Sequence, residues 1–389
     1  MKGRYTAMIY RTLGRTRWNV GVVGMGCEWL DGLSQEEVCA IFDDALANGV
    51  NYLDLFMSQP MVRSHIGAAL RGRRDQCMIQ GHIGSIFENG QYARSRDLAK
   101  TKIAFEDLLT RLETDYIDVG MLHYVDSMAD YERIFDTELL AYALELKKQG
   151  VIRCLGMSSH NPNVALRAVE SGLIDVLMFS INPAYDMETP DAEIEELIEF
   201  KGIAQHGFVA DNARRKLYAA CENAGVGITV MKALGAGSLL KAESSPFGKA
   251  LSVVQCIHYA LSRPGVASVL IGCHSVEEMH QALGYLSASD AQREYSDIFA
   301  NNQTIHATGR CMYCNHCLPC PAHINIGEVT KFLDLALMQP TVPQSVKQHY
   351  LSLEKSANAC VRCGSCESNC PFGVKVRENM QKAVEVFGK

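Results

Sequence analysis

Eight short apolar runs recur along the first 272 residues, and they limit the possible folds more than any other feature. They lie at residues 20–24, 50–54, 77–82, 116–123, 151–158, 175–182, 227–232 and 267–272. Each is too short for a buried helix and rich in Val, Ile, Leu or Met, which is typical of strands covered on both faces. Amphipathic stretches separate them. Ser34 and Glu37 predict a capping box, Asn161 with Pro162 predicts a helix start, and Gly172 predicts a helix end.

Eight strand–helix units over roughly 250 residues are typical of an α/β fold of the (β/α)8 type, the TIM barrel. A doubly wound open sheet is the alternative, and it would need a G-x-G-x-x-G turn after a strand. Gly21, Gly24 and Gly26 have the wrong spacing for that turn. We therefore predict a barrel over residues 1–300, with its active residues at the carboxyl ends of the strands.

Eight of the fifteen cysteines form two closely spaced motifs near the end of the sequence. The motifs are Cys311-x2-Cys314-x2-Cys317-x2-Cys320-Pro321 and Cys360-x2-Cys363-x2-Cys366-x3-Cys370-Pro371. Such thiolates can wrap an iron–sulfur cube, and a cysteine before proline supplies a further ligand. Four-cysteine zinc sites are the alternative, although they rarely end in Cys-Pro. We predict two [4Fe–4S] clusters in a small, mainly α-helical, ferredoxin-like domain over residues 301–389.

The fourth cysteine of each motif has two possible assignments. In bacterial two-cluster ferredoxins it ligates the other cluster. By that rule Cys370 completes the first motif's cluster and Cys320 completes the second motif's cluster. The first motif is one residue shorter before its last cysteine, so the pairing stays open.

The remaining composition excludes several classes of protein. A net charge of −7 and a pI near 6.0 do not indicate a nucleic-acid or membrane-surface partner. No apolar run reaches the roughly 18 residues of a membrane span, and residues 1–14 lack a secretion signal. We expect a cytoplasmic protein, in which clustered cysteines are metal ligands and not disulfides. Exposed clusters would favour an anaerobic or microaerobic cell.

Four stretches at predicted strand ends resemble those of the aldo-keto reductases. Residues 49–54, 115–123, 156–160 and 230–234 look like the second, fourth, fifth and seventh strand ends of that family. The cysteine region is similar to that of a branch fused to a ferredoxin-like domain. The resemblance covers residues 8 to 290 and implies a barrel that binds NADPH in extended form across its mouth.

The resemblance also implies a catalytic set of Asp, Tyr, Lys and His, with Tyr as the proton donor. Asp54 and His123 match, whereas Gln59 stands at the Tyr position and His82 at the Lys position. Gln has no proton to donate near neutral pH, and loss of a general acid forfeits roughly 10²–10⁴ in rate. We predict Asp54, His82 and His123 as catalytic residues, with His82, His123 or Tyr124 as the replacement acid.

The implied nicotinamide site is matched in part. Ser158 matches a residue that contacts the carboxamide, and Gly272, Ser275 and Glu277 lie in a stretch that resembles the adenosine-phosphate loop. Lys232 stands at a strand end, where it could meet a cofactor phosphate or a substrate carboxylate. Three family residues are replaced, at Ser159, His274 and Ala282. NADP(H) is therefore an open alternative to a site without a nicotinamide cofactor.

The leading hypothesis is an iron–sulfur oxidoreductase with a small organic substrate in its barrel. Its clusters would exchange single electrons with a redox partner, which would be a ferredoxin, a flavodoxin or NAD(P)H. One alternative is a non-redox lyase or isomerase that uses Asp54, His82 and His123 for acid–base chemistry. The other is a catalytically inactive electron-transfer subunit. The acidic segment 186–212 is expected to cover the active site or to hold the cluster domain.

Overall fold

The computed structural model describes residues 7–189, 192, 194–206, 213–300, 309 and 311–389. Twelve strands lie within these residues: β1 (Tyr10–Thr12), β2 (Asn19–Gly21), β3 (Val23–Gly26), β4 (Tyr52–Leu55), β5 (Met78–Ile83), β6 (Ser85–Glu88), β7 (Gln91–Arg94), β8 (Ile117–Leu122), β9 (Ile152–Ser159), β10 (Val176–Ser180), β11 (Gly227–Met231) and β12 (Val266–Gly272).

Eight parallel strands close into a barrel in the order β3, β4, β5, β8, β9, β10, β11, β12. Each predicted apolar run contributes one of these strands. The (β/α)8 barrel is therefore confirmed, and the open-sheet alternative is wrong. The interior is filled by buried side chains from several strands, among them Tyr52, Val119, Met121, Val176 and Leu270, so it is a packed core and not a channel.

Two antiparallel hairpins stand outside the barrel sheet. β1 pairs with β2, and β6 pairs with β7. In the second hairpin Glu88 pairs with Gln91, so Asn89 and Gly90 form the whole turn, both at positive φ. That conformation is the type I′ turn, which favours Asn-Gly.

The α-helices within the described residues are α1 (Gln35–Ala47), α2 (Pro60–Leu70), α3 (Leu98–Arg111), α4 (Met128–Phe135), α5 (Glu138–Gln149), α6 (Pro162–Glu170), α7 (Ile194–Glu199), α8 (Lys201–His206), α9 (Ala213–Ala224), α10 (Val253–Leu261), α11 (Val276–Leu283), α12 (Asp290–Arg293), α13 (Asp297–Ala300), α14 (Ile326–Leu337), α15 (Gln344–Leu351), α16 (Ser365–Asn369) and α17 (Val376–Phe387).

The predicted helix signals operate as expected. Ser34 and Glu37 form the capping box of α1, and the Asn161 side chain caps α6, which begins at Pro162. No helix in the described part of the chain is long and apolar enough to cross a membrane.

The chain divides into two compact units that differ from a simple N- and C-terminal split. Unit 1 is Met1–Ile181, Val226–Ala233 and Val266–Ser287, and it contains every barrel strand. Unit 2 is Asn182–Gly225, Leu234–Gly265 and Ala288–Lys389, so helices α9 and α10 belong with the cysteine motifs.

The acidic segment 186–212 falls in unit 2, the unit of the cysteine motifs. Within it, residues 190, 191, 193 and 207–212 lie outside the described residues. Asn301, where the predicted domain boundary falls, also lies outside them. The division at residue 300 stays a prediction.

Candidate active site and cluster sites

Three predicted catalytic residues come together at the carboxyl ends of neighbouring barrel strands. Asp54 lies on β4, His82 lies on β5, and His123 directly follows β8. His82 Nε2 is 2.9 Å from Asp54 Oδ1, and His82 Nδ1 is 2.7 Å from His123 Nδ1. All three side chains are buried. The three groups therefore form one continuous chain of hydrogen bonds.

A fourth residue, Tyr92, extends this chain, and the sequence analysis missed it. Its hydroxyl oxygen is 2.6 Å from His123 Nε2. Tyr92 lies on β7, one residue pair from the Asn89-Gly90 turn that folds the hairpin back. Phe56 stacks on the His123 ring at 5.8 Å and meets the Tyr92 ring edge-on at 5.7 Å. The sequence signal for this hairpin was Asn-Gly between two short runs.

A buried polar layer inside the barrel holds Asp54 in position. The Gln80 side chain donates to Asp54 Oδ1 at 2.6 Å. Gln80 Oε1 accepts from the Tyr52 hydroxyl at 3.0 Å and from the Thr229 hydroxyl at 3.1 Å. Because each of these groups has a partner, the carboxylate can remain buried beside His82 without an unsatisfied neighbour.

The protonation state of His123 determines which group donates in each of these hydrogen bonds. Burial lowers the pKa of His123 well below its ordinary value, and the neighbouring His82 acts in the same direction. A neutral imidazole has one donor and one acceptor nitrogen. With both imidazoles neutral and Asp54 as the acceptor, one assignment satisfies every contact. His82 Nε2 donates to Asp54, His123 Nδ1 donates to His82, and the Tyr92 hydroxyl donates to His123 Nε2.

Gln59 and Tyr124 have other roles. Gln59 precedes α2, and its side-chain oxygen accepts from the Val62 backbone N–H at 3.1 Å, as a helix cap. The Tyr124 ring centroid is 6.1 Å from that of His123, and the Arg94 guanidinium packs 3.9 Å from the Tyr124 ring centroid. The tyrosine whose hydroxyl contacts His123 is thus Tyr92.

Two of the predicted nicotinamide residues lie at other strand ends of unit 1. Ser158 is buried on β9, and its hydroxyl accepts from the Tyr124 backbone N–H at 2.7 Å. The next residue, Ser159, donates to Asp126 at 3.0 Å. Lys232 follows β11, with its Nζ atom 4.0 Å from a Glu28 carboxylate oxygen. Ser158 is therefore connected to the residue beside His123.

The predicted phosphate loop follows β12. A Cβ atom on Gly272 would lie 2.0 Å from the Trp29 ring, so only glycine fits there. Ser275 caps α11 by accepting from the Glu278 backbone N–H at 3.3 Å. The Glu278 carboxylate in turn accepts from the His274 backbone N–H at 2.7 Å, and Glu277 is exposed in the same first turn. Two carboxylates therefore stand where a phosphate would have to bind.

The two cysteine motifs repeat one backbone geometry. The Tyr313 backbone N–H donates to Cys311 Sγ at 3.4 Å, and the Arg362 N–H donates to Cys360 Sγ at the same distance. Tyr313 and Arg362 both have φ near +55°, at 58° and 55°. Each motif thus folds its first cysteine inward by the same left-handed turn.

The fourth cysteines lie with the opposite motifs. Cys311, Cys314 and Cys317 each interact electrostatically with Cys370. Cys320 lines a cavity of about 360 Å³ of empty volume, part of it open to solvent, together with Cys360, Cys363 and Cys366. Both groups are four-thiol sets of the kind that holds an iron–sulfur cube, so the donor chemistry fits such clusters. The exchanged pairing of the fourth cysteines stays a prediction.

Comparison with known proteins identifies both parts of the chain. Residues 19–250 match the aldo/keto reductase family, and residues 310–375 match a 4Fe-4S dicluster domain. The uncharacterized oxidoreductase YqkF of Bacillus subtilis is 30% identical over 300 residues, which cover 73% of this chain and 92% of that protein. The chain belongs to the aldo-keto reductase family. It is an oxidoreductase of this type with a dicluster domain.

Solved structures agree with this assignment. The holo form of an aldo-keto reductase from Bacillus halodurans is 25% identical, with a TM-score of 0.58, covering 77% of this chain and 97% of that one. A putative aldo-keto reductase from Pseudomonas aeruginosa is 22% identical, with a TM-score of 0.54, covering 73% and 100%. The second likeness concerns the fold alone. The dicluster match favours iron–sulfur clusters over the zinc alternative.

Gln59, at the predicted position of the proton donor, caps α2 with its side chain. The Tyr92 hydroxyl approaches His123 from the hairpin of β6 and β7. His82, at the family's lysine position, bridges Asp54 and His123. The hydrogen bonds of this site therefore centre on His82 and His123.

Proposed function

We propose that the protein reduces the carbonyl group of a small organic substrate, or oxidises the corresponding alcohol, with Tyr92 as the proton donor or acceptor. The observation that carries this proposal is the unbroken chain of hydrogen bonds from Asp54 through His82 and His123 to Tyr92. A tyrosine hydroxyl at the end of such a chain can pass a proton to a carbonyl oxygen while it is reprotonated from behind.

The proton transfer is balanced by one proton stored on His82. In the charged state the His82 imidazolium donates to Asp54 and to His123, and His123 Nε2 donates to Tyr92. Tyr92 then gives its hydroxyl proton to the substrate oxygen, takes one from His123 Nε2, and His123 Nδ1 takes one from His82. One proton leaves His82, and one O–H bond forms on the substrate.

The contacts and burial of His82 and His123 fit the storage of a proton on His82 and its transfer through His123. Asp54 Oδ1 is 2.9 Å from His82 Nε2, so the carboxylate is placed to accept a hydrogen bond from His82 in either protonation state. Burial keeps the pKa of His123 low, so His123 passes the proton on and does not retain it.

Two [4Fe–4S] clusters would supply the electrons of this reaction. Carbonyl reduction consumes two electrons and two protons, and each cluster carries one electron at a time. Tyr92 would deliver the proton of the new O–H bond, and the proton of the new C–H bond would come from water once the substrate carbon has taken up the electrons. Cys311, Cys314, Cys317 and Cys370 would hold one cluster, and Cys320, Cys360, Cys363 and Cys366 the other. The external donor would be a low-potential one-electron carrier of the ferredoxin or flavodoxin class, in the cytoplasm of an anaerobic or microaerobic cell.

NADP(H) is the second candidate source of electrons, through Ser158, Lys232, Gly272, Ser275 and Glu277. The loop after β12 argues against tight binding, because residues 272–283 contain no Arg or Lys and two adjacent glutamates. Carboxylates at a helix N-terminus compete with a phosphate for the same backbone donors.

The substitution Tyr92→Phe tests the proposal. Anaerobic protein is assayed on a panel of small aldehydes and ketones with a chemically reduced ferredoxin as donor. Loss of the donor hydroxyl should lower kcat by about 10²–10⁴, with unchanged iron content. The matched control is Tyr124→Phe, which removes the hydroxyl of the neighbouring tyrosine and should change kcat by less than about tenfold. Equal effects of the two substitutions would contradict the proposal.

The same assay separates the alternatives. A lyase or isomerase would turn over substrate while the clusters are held in one oxidation state. An inactive electron-transfer subunit would turn over none of the panel. Either result rejects carbonyl reduction.

A nucleotide titration decides between the two electron sources. We expect reduced ferredoxin to bleach the cluster absorption of the anaerobic protein, and NADPH to bleach it weakly or not at all. Rapid bleaching by NADPH, with saturable binding, would contradict this and make the nicotinamide the direct reductant.

A further inference from the structure

Unit 2 buries an arginine against the first cysteine motif. Arg263 lies just after α10, and only 7% of the residue is exposed. Its guanidinium carbon is 4.3 Å from the centroid of the Tyr259 ring and 5.0 Å from that of the Tyr313 ring. Tyr313 stands between the first two cysteines of the motif, so the arginine is packed directly against that loop.

Hydrogen bonds fix the guanidinium to the same loop. Arg263 Nη2 donates to the Met312 carbonyl at 2.8 Å and to the Tyr295 hydroxyl at 3.1 Å. Tyr295 donates to the same Met312 carbonyl at 3.1 Å. Met312 directly follows Cys311, and Tyr295 interacts electrostatically with Cys314 and Cys311. The positive charge is thus held beside two ligands of the first motif.

The charge of Arg263 has no carboxylate partner among the residues that the structure describes. Two other described arginines are equally buried, and both face one: Arg63 is 3.0 Å from Asp107, and Arg214 is 3.6 Å from Asp186. Arg263 forms no such ion pair, and its Nε atom is buried without a hydrogen-bond partner. The oxygens of Asp186, an acid that does influence it, are occupied by the Tyr218 and Tyr259 hydroxyls.

A buried guanidinium without a counter-charge is unfavourable, because burial removes its hydration. The first motif offers the missing charge. A cube of iron and sulfide held by four thiolates is negative overall, and it becomes more negative when it takes up an electron. The guanidinium and such a cluster are opposite in charge, and the guanidinium contacts Met312 and Tyr313, the two residues between Cys311 and Cys314.

We propose that Arg263 is the counter-ion of the cluster held by Cys311, Cys314, Cys317 and Cys370, and that it raises the reduction potential of that cluster. The inference rests on the iron–sulfur part of the proposed function. A fixed positive charge in a poorly hydrated site stabilises the reduced cluster more than the oxidised one. Electrons should therefore collect on the first cluster and not on the second.

The two roles that Arg263 can have, charge and anchor, are separated by two substitutions. Arg263→Lys keeps the positive charge and loses the planar fork. Arg263→Gln loses the charge and keeps an amide that can donate to the Met312 carbonyl. If Arg263 is a counter-ion, only Arg263→Gln should change the reduction potential of the first cluster. If Arg263 is purely a structural anchor, Arg263→Lys should change that potential more than Arg263→Gln does, or neither variant should change it.

The measurement is a potentiometric titration of the full-length, cluster-loaded protein, followed by electron paramagnetic resonance. In Arg263→Gln the first cluster should become at least about tenfold harder to reduce, a lowering of about 59 mV for a one-electron centre, while the second cluster is unchanged. Arg263→Lys should stay close to the wild type. The control Arg74→Met removes an arginine that is paired with Asp118 in unit 1, and it should shift neither cluster.

Each outcome decides the question. Loss of the first cluster from Arg263→Gln but not from Arg263→Lys also supports the counter-ion. An unshifted potential in Arg263→Gln, or loss of the cluster from both variants, overturns it. The iron content of the wild-type protein is measured separately. If that protein binds no iron after anaerobic reconstitution, the iron–sulfur part of the proposed function is rejected.

Discussion

The two cysteine motifs have the same backbone turn and different surroundings. In the first motif Cys314 and Cys317 are buried, and Tyr313, Tyr295 and Arg263 pack around them. In the second motif Cys363 is exposed, and Val361 beside it is 66% exposed. The repeated loop provides the thiol ligands in both places. The side chains around the loop are what make the two sites different.

This difference suggests different tasks for the two proposed clusters. An exposed cluster exchanges electrons readily with another protein, because an electron carrier can approach its edge. A buried cluster beside a fixed cation retains an electron and is shielded from solvent. Each of the following predictions changes one side of this comparison.

The largest effect is expected from the fourth cysteines. Cys370→Ala should abolish the buried cluster of the first motif, and Cys320→Ala should abolish the exposed cluster of the second, because in the proposed pairing each completes the cluster of the opposite motif. Iron content should fall by half in both variants. The remaining cluster is identified by its potential and its resonance signal. The reverse pattern of loss would mean that each motif keeps its own fourth cysteine.

Oxygen should distinguish the two sites by a smaller factor. On exposure of the reduced protein to air, the second cluster should decay several times faster than the first, because Cys363 and Val361 leave its edge open. Parallel decay of both resonance signals would show that burial does not protect the first site.

A charge at the exposed motif should affect delivery of electrons. Arg362 is exposed beside Cys363, and Arg362→Glu should slow reduction of the protein by an anionic carrier by about tenfold or less at low salt. The effect should fade as the ionic strength rises. Arg17→Glu makes the same charge change on an exposed residue of unit 1 and serves as the control. If both substitutions slow the reduction equally, the effect comes from the net charge of the protein and not from the position of Arg362.

The smallest effect concerns α15, the helix between the motifs. His349 Nδ1 on α15 lies 2.6 Å from a Glu222 carboxylate oxygen on α9, and this contact raises the pKa of His349. A histidine with a raised pKa stabilises the fold below its unfolded pKa of about 6.5, and the stabilisation is lost as the pH rises through the folded value. His349→Gln should therefore lower stability at mildly acidic pH by less than about 1 kcal/mol, since the pair is partly exposed.

Thermal denaturation at two pH values checks this last prediction. The difference in Tm between wild type and His349→Gln should be present near pH 5.5 and absent near pH 8, either side of the ordinary histidine pKa of about 6.5. A difference that persists at the higher pH would indicate lost packing and not lost charge.

The sequence predicts the barrel because eight separate apolar runs each carry the same local signal. It also predicts that Asp54, His82 and His123 meet, because strand ends in a barrel share one face. Tyr92 could not be predicted in the same way. The Asn89-Gly90 turn marks a hairpin, but which ring the hairpin reaches depends on tertiary packing.

The surroundings of Arg263 are harder still to predict from the sequence. It is 49 residues from Met312, and no local pattern marks a buried arginine that has no acidic partner. The cysteines, by contrast, are recognised from spacing alone, because all ligands of a motif lie within ten residues or so of each other.

Neither of the two units is one continuous stretch of the chain. The backbone passes from one unit to the other five times, after residues 181, 225, 233, 265 and 287. A gene fragment that starts at residue 301 would encode the cysteines without Arg263, Tyr295 or helix α9. Exchange of the dicluster segment between relatives would have to include the other segments of unit 2, Asn182–Gly225 and Leu234–Gly265.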